Sequence, residues 1–219
     1  MYKLAIFDLD GTLADSLRDL ADAVNIALAE FGYPTHTVEA YKYFVGNGAK
    51  KLCERALPKG KRNEAEIKRL LARFGEYYSE HCFDHTAPYE GMPETVKRLT
   101  EAGVICAVAS NKPDDFSPVV VEKLYGRGLF TIVRGKREGV PTKPAPDIVY
   151  GICRELDVPL EETVFIGDSC VDVQTAVNAG LPCNGCDWGF RGESELRAAG
   201  CKVIAYKPEE LYGLITDNG

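Results

Sequence analysis

The sequence predicts an α/β protein in which a parallel sheet is flanked by helices and a helical segment is inserted after the first strand. Three observations carry that reading. Short apolar runs recur at KLAIF (3–7), VICAVAS (104–110), LFTIVRG (129–135), TVFIGD (163–168) and LPCNGC (181–186). Amphipathic stretches beginning near Pro93, Pro113, Pro144 and Ser169 lie between the later runs. Residues 16–83 hold helical patterns and no convincing strand. Buried apolar strands alternating with helices call for a sheet covered on both faces, and a lone N-terminal strand must join it.

The first run stops at Asp8-Leu9-Asp10-Gly11-Thr12, which sets two carboxylates at the carboxyl end of a strand. Gly11 marks the point where the chain turns away. In open α/β sheets the crevice outside the strands' carboxyl ends is where ligands bind, although Asp and Gly are also ordinary turn residues. Ser16 is a candidate N-cap for the next helix, in which Leu20, Val24, Ala27, Leu28 and Phe31 share a face ahead of the stop signal Gly32…Pro34. A second helical pattern, EAEIKRLLARFGEYYSEH, closes before the loop DHTAPYEG. The segment 16–84 therefore reads as a helical cap domain, and 1–15 with 85–219 as the α/β core. Within the segment, Gly46-Asn47-Gly48 breaks the helical pattern ahead of Lys50, Lys51 and Arg55.

Composition narrows the class. With 219 residues, 45% of them hydrophobic, and a net charge of -7, the chain can bury a sizeable core and offers no general attraction to nucleic acid. No apolar run approaches the roughly 20 residues of a membrane span. Asp8 and Asp10 interrupt the N-terminal apolar stretch, so it does not read as a targeting segment, and a cytoplasmic location is expected. Eight scattered cysteines fit a reducing compartment. Cys183 and Cys186 form a single CxxC without the second pair of a structural zinc site, and small core or loop residues are the simpler reading. His81 and His85 have i, i+4 spacing but no HExxH frame.

The later strand ends also carry polar residues. Ser110-Asn111-Lys112 follows the second run, Lys143-Pro144-Ala145-Pro146 follows the third, and Gly167-Asp168-Ser169, with Asp172 four residues beyond Asp168, follows the fourth. Each group has a plain reading as a cap or a solvated lysine. Parallel strands, however, bring all of these ends to one edge. A helix opening at Ser169 places Asp168 and Asp172 on neighbouring turns of one face, directed toward Asp8.

In these groups the sequence resembles the haloacid dehalogenase superfamily: DLDGT matches its first motif, Ser110-Asn111 its second, Lys143 its third and GDSCVD its fourth. The match runs in order along the whole chain and includes a helical cap after the first motif. Together, VGNGAKKLCERAL, PYEGMPETVKRL and KPAPD resemble the phosphoglycolate phosphatase branch. The resemblance implies a Rossmann-like core and a phosphomonoester hydrolase working through an aspartyl-phosphate. It implies Asp8 as nucleophile and metal ligand, and Asp10 as general acid and base with its backbone carbonyl on the metal. Asp168 is then a direct metal ligand, with Asp172 direct or through water. Thr12, Ser110, Asn111 and Lys143 are the implied phosphate-binding residues. Mg2+ and Lys143 are expected to keep Asp8 ionised.

Elementary electrostatics points the same way. Four aspartates and a phosphate monoester in one crevice repel by roughly 4 kcal/mol per pair at about 4 Å and an effective dielectric near 20. Lys143 alone does not balance them, whereas Mg2+, a hard cation with oxygen ligands, does. Asn47 and Lys50 are candidate readers of an anionic leaving group, with Arg18 and Arg55 behind them. The expected substrate is 2-phosphoglycolate or a similar small phosphorylated metabolite, with no nucleic-acid or membrane partner. A phosphosugar mutase of the beta-phosphoglucomutase type, or a pyrophosphatase or nucleotidase, are the alternatives on the same scaffold.

Overall fold

In the computed structural model, which describes residues 1–217, the first apolar run forms strand β1 (Leu4–Phe7) with all four side chains buried. Two-residue strands, β2 (Ala14–Asp15) and β3 (Ala87–Pro88), pair with one another as a small sheet. Between them run helices α1 (Leu17–Glu30), α2 (Val38–Tyr41), α3 (Ala49–Ala56) and α4 (Glu64–His81). The remainder alternates: α5 (Met92–Glu101), β4 (Ile105–Pro113), α6 (Ser117–Tyr125), β5 (Ile132–Lys136), α7 (Asp147–Leu156), β6 (Thr163–Gly167), α8 (Cys170–Ala179), β7 (Cys183–Cys186), α9 (Gly192–Ala198), β8 (Val203–Ala205) and α10 (Glu210–Thr216). Two compact units result, one of Met1–Ala14 with Pro88–Gly219 and the other of Asp15–Ala87.

The first unit is built on a six-stranded sheet ordered β5-β4-β1-β6-β7-β8, parallel at each of its five pairings. Residues Leu4, Ile6, Ala107, Ala109 and Phe165 pack with Val149 and Ile152 of α7 and Ala176 of α8 into one core. Such strands show no in-out alternation because helices cover both faces. The order turns at β1, which hydrogen-bonds to β4 on one side and β6 on the other. That reversal is where a doubly wound sheet opens a crevice beyond its strand ends.

In the second unit α1 packs on α4, and the pair Arg73–Glu30 (2.6 Å) ties the two together. Asn63 caps α4 by accepting from the Glu66 amide. Asp19, buried in α1, accepts from the backbone amides of His85 and Thr86 and from the Thr86 hydroxyl. The segment's last residues are thereby fastened to its first helix.

Several elements depart from the sequence reading. Strand β8 and helices α9 and α10 fall where no apolar run was identified. Ser16 occupies the N-cap of α1, but its side chain makes no capping hydrogen bond. Strand β4 runs on through Ser110-Asn111-Lys112 to Pro113, where the apolar run ends at Ser110. A register shift against β5 between Ala109 and Pro113 accounts for the extension.

Among the described residues no helix is long and apolar enough to cross a membrane. Cys183 and Cys186 end the same strand three residues apart, so they point to opposite faces. His81 closes α4 with its Nδ1 2.9 Å from Asp84.

Candidate active site

Beyond β1 the chain makes a tight knot. The Asp8 amide still donates to Ile166 on β6, extending the ladder by one residue, and the Leu9 carbonyl then accepts from the amides of Thr12, Leu13 and Ala14. Gly11 sits at φ +94°, and a Cβ there would lie 2.4 Å from Asp168 Oδ2. Only glycine meets both the backbone and the space requirement.

From the neighbouring strand, β6 delivers Asp168 and α8 delivers Asp172. Asp168 stands one residue before the N-cap, in the turn and not on the helix, so the shared helical face expected from the spacing is not what joins the two acids. Asp172 is the N3 residue of a capping box: its Oδ2 accepts from the Ser169 amide (3.1 Å) and hydroxyl (2.7 Å). Gly167 lets Asp172 fold back, since a Cβ would come within 2.3 Å of the Asp172 Cβ.

The outcome is three buried carboxylates, Asp8, Asp168 and Asp172, with one oxygen of each within 4.8 Å of the others. Lys143 Nζ lies 2.7 Å from Asp8 Oδ1 and 2.7 Å from Asp172 Oδ1. The Asn111 amide holds the Lys143 carbonyl at 3.0 Å. Thr12 Oγ1 donates to Asp168 Oδ1 at 3.3 Å, so that hydroxyl is engaged by a carboxylate here. Ser110, which precedes Asn111 in the chain, is also buried, its Oγ accepting from the Lys112 amide.

One ammonium against three carboxylates leaves an excess of negative charge. Burial, with the Asp172 charge behind it, pushes the Asp8 carboxyl up to about 7 despite Lys143. Burial and the Asp172 and Asp8 charges likewise hold Asp168 well above the carboxylate range. Burial opposes the charge on Lys143, but Asp172 and Asp8 outweigh it and raise its basicity. Lys143 by itself therefore does not keep Asp8 ionised at neutrality. The donor set fits a hard divalent cation: oxygen atoms only, converging, with two positive charges too few.

The Asp10 carboxylate stands outside this cluster, with Lys112 Nζ 3.0 and 3.1 Å from its two oxygens. Nothing in the sequence assigns Lys112 a role. Trp188-Gly189-Phe190-Arg191, which follows the last apolar run, reads from sequence either as part of the crevice rim or as a buried aromatic pair, with no role assigned. Here the Trp188 indole donates to the Thr12 carbonyl (3.2 Å) and the Phe190 amide to Asp168 Oδ2 (2.8 Å). A Cβ on Gly189 would lie 2.1 Å from the Asp168 Cβ and 2.6 Å from the Gly11 carbonyl oxygen. The available signal was a glycine between two aromatics following a strand.

Asn47 and Lys50 belong to the helical unit. Asn47 Oδ1 accepts from Arg55 (2.7 Å), which also donates to the Phe44 carbonyl. Lys50 pairs with Glu64 at 2.8 Å, both well exposed, an arrangement that holds a lysine only weakly. Arg18 pairs with Asp22.

Residues 5–185 match the model of the haloacid dehalogenase-like hydrolase family. The phosphoglycolate phosphatase of Pseudomonas syringae pv. tomato is 40% identical over 194 residues, 86% of this chain and 70% of that protein. That of Haemophilus influenzae strain 86-028NP is 36% identical over 86% of this chain and 87% of its own. A crystal structure from Lactobacillus delbrueckii subsp. bulgaricus, carrying the provisional name phosphoglycolate phosphatase, superposes with a TM-score of 0.93 at 35% identity over 98% of both chains. The structure of CbbY from Rhodobacter sphaeroides in complex with phosphate gives 0.76 at 26% identity over 96% of both chains.

Proposed function

The chain belongs to the haloacid dehalogenase-like hydrolases, and on that premise we propose that it is a Mg2+-dependent phosphomonoester hydrolase acting through an aspartyl-phosphate on 2-phosphoglycolate or a similar small phosphorylated metabolite. The observation that carries the reading is the meeting of Asp8, Asp168 and Asp172 at the carboxyl ends of β1 and β6, with Lys143 bridging Asp8 and Asp172. The names of the relatives support the choice of substrate.

In this reading Asp8 attacks phosphorus with a carboxylate oxygen, and the bond from phosphorus to the ester oxygen breaks. The departing alkoxide takes its proton from the Asp10 carboxyl. Asp10, now a carboxylate, removes a proton from water as the water oxygen attacks the phosphoaspartate, releasing phosphate and restoring Asp8. Lys143 faces the attacking carboxylate, and Thr12, Ser110, Asn111 and Lys143 supply donors to the phosphoryl oxygens. Asp8, Asp168, Asp172 and the Asp10 carbonyl would hold Mg2+. When bound, the ion neutralises charge on the carboxylates and the phosphoryl group. We assign recognition of the leaving group to Asn47 and Lys50 of the helical unit, which we read as a cap domain.

The test is hydrolysis of a panel of phosphate esters, with pyrophosphate, nucleotides and sugar phosphates included, with and without Mg2+. Asp8→Asn should lose at least about 10³-fold in kcat. Full activity in that variant, or activity indifferent to chelation, overturns the reading.

A further inference from the structure

Lys112 has no task in the chemistry above, yet it is one of the more costly residues to place where it is. A lysine is seldom buried, and removing an ammonium from water is unfavourable unless a partner and good geometry offset it. Here its side chain is 5% exposed and that of its partner, Asp10, 15%. The backbone around it is shaped to deliver it. The pairing of β4 with β5 breaks register between Ala109 and Pro113, so Ser110, Asn111 and Lys112, all buried, lie in an irregular stretch of the strand. Gly135 on β5 makes room for that irregularity, because a Cβ would lie 2.5 Å from the Lys112 carbonyl oxygen and 2.7 Å from the Asp114 Cα. The Lys112 amide donates to Ser110 Oγ and its carbonyl accepts from Ser117 Oγ, so the stem is held from both peptide groups.

Asp10 is fixed at the other end. The Leu9 carbonyl gathers the next amides, and the Gly11 amide donates to the Ala14 carbonyl at 2.9 Å. The Lys112 ammonium lies 3.0 and 3.1 Å from the two oxygens of the Asp10 carboxylate, a two-point contact that favours one orientation of the group.

We propose that Lys112 is a positioning residue that holds the Asp10 carboxylate in the orientation from which it transfers protons, an inference resting on the reading of Asp8 as nucleophile and Asp10 as acid and base. Two proton transfers pass through Asp10 in each turnover, one to the leaving alkoxide and one from the attacking water. Loss of the tether slows both, and the second does not depend on which ester was bound.

Rapid mixing separates the two transfers. Lys112→Met should lower kcat on 2-phosphoglycolate by roughly 10²-fold, within the usual worth of general acid–base catalysis, while KM moves less than about threefold. On p-nitrophenyl phosphate, whose phenolate departs without a proton, the same variant should release a burst of p-nitrophenolate equal to the enzyme present and then turn over slowly. Lys112→Arg, whose planar fork also spans two carboxylate oxygens, should recover most of kcat. Should the methionine variant melt early, Lys112→Gln carries the same burst measurement.

A neutral variant that turns over normally overturns the inference. So does one that loses the first turnover as much as later ones, or one that raises KM alone, which would make Lys112 a substrate-anion binder. Asp10→Asn is the control. A burst from it beside normal turnover in Lys112→Met sinks only the positioning role, whereas full turnover in Asp10→Asn overturns that role and the proposed mechanism together.

Discussion

Asp19 in the helical unit and Asp168 in the sheet unit are equally dry, at 3% and 2% exposure, but they meet different surroundings. Asp19 is met by donors: two backbone amides and a hydroxyl converge on it, with contacts from 2.6 to 3.1 Å. Asp168 also accepts from Thr12 and Phe190, but it shares its space with Asp8 and Asp172. One carboxylate closes a structure and the other leaves charge outstanding. Burial does not separate the two cases; the sign of what each carboxylate faces does.

Paired substitutions give the largest test of that contrast. Asp8→Asn should abolish turnover while leaving the thermal midpoint of the metal-free protein level or higher, since it removes one of three crowded charges. Asp19→Ala should do the reverse, costing about 1–3 kcal/mol of stability through stranded donors with kcat retained in the folded fraction. Calorimetry beside steady-state kinetics checks both, and equal losses of stability would erase the distinction.

Next in size is Gly189→Ala, a change remote in sequence from the acids. The added methyl meets Asp168 and the Gly11 carbonyl and displaces both. The Mg2+ concentration for half-maximal activity should rise by roughly 10–100-fold, the usual cost of disturbing what orients a metal ligand. An unchanged Mg2+ titration would mean that the WGF segment does not support the site.

A smaller effect concerns pH. Burial, then Asp172, places the Asp8 carboxyl at about 7 against an ordinary 3.8. A carboxyl shifted upward keeps, in the native state, a proton that the unfolded chain has already released. Stability of the chelated protein should therefore fall as pH rises between about 4 and 7. Mg2+ should restore it, more near neutrality than near pH 5. Melting curves across that window, with and without the ion, decide the sign. The smallest change expected is for Lys50→Ala, a few-fold rise in KM for 2-phosphoglycolate with little change for p-nitrophenyl phosphate. Equal shifts for the two substrates would remove Lys50 from substrate recognition.

The parts legible in the sequence are those where a continuous apolar run ends in polar residues. β1, β4 and β6 announce themselves in this way, and with them Asp8, Ser110 and Asp168. Strand β8 escaped because Val203–Ala205 is too short for any period to register. Lys112 escaped because its partner, Asp10, lies 102 positions earlier on another strand's end, and such a pairing leaves no local pattern. Gly189 escaped for a related reason: its lack of a side chain matters only because of Asp168, which precedes it by 21 positions in sequence and touches it in space. The family resemblance supplied roles that spacing alone left open, while the engagement of the Thr12 hydroxyl by Asp168 emerges only from the folded geometry.

Asp172 belongs to two systems at once. One of its oxygens seals the first turn of α8 through Ser169, and the other receives the ammonium of Lys143. Whatever draws Lys143 toward a phosphoryl group, or sets a cation beside Asp172, must alter how firmly that turn is stitched. The Ser169 amide thus becomes a built-in gauge of occupancy: its rate of hydrogen exchange should report ligation at the start of α8.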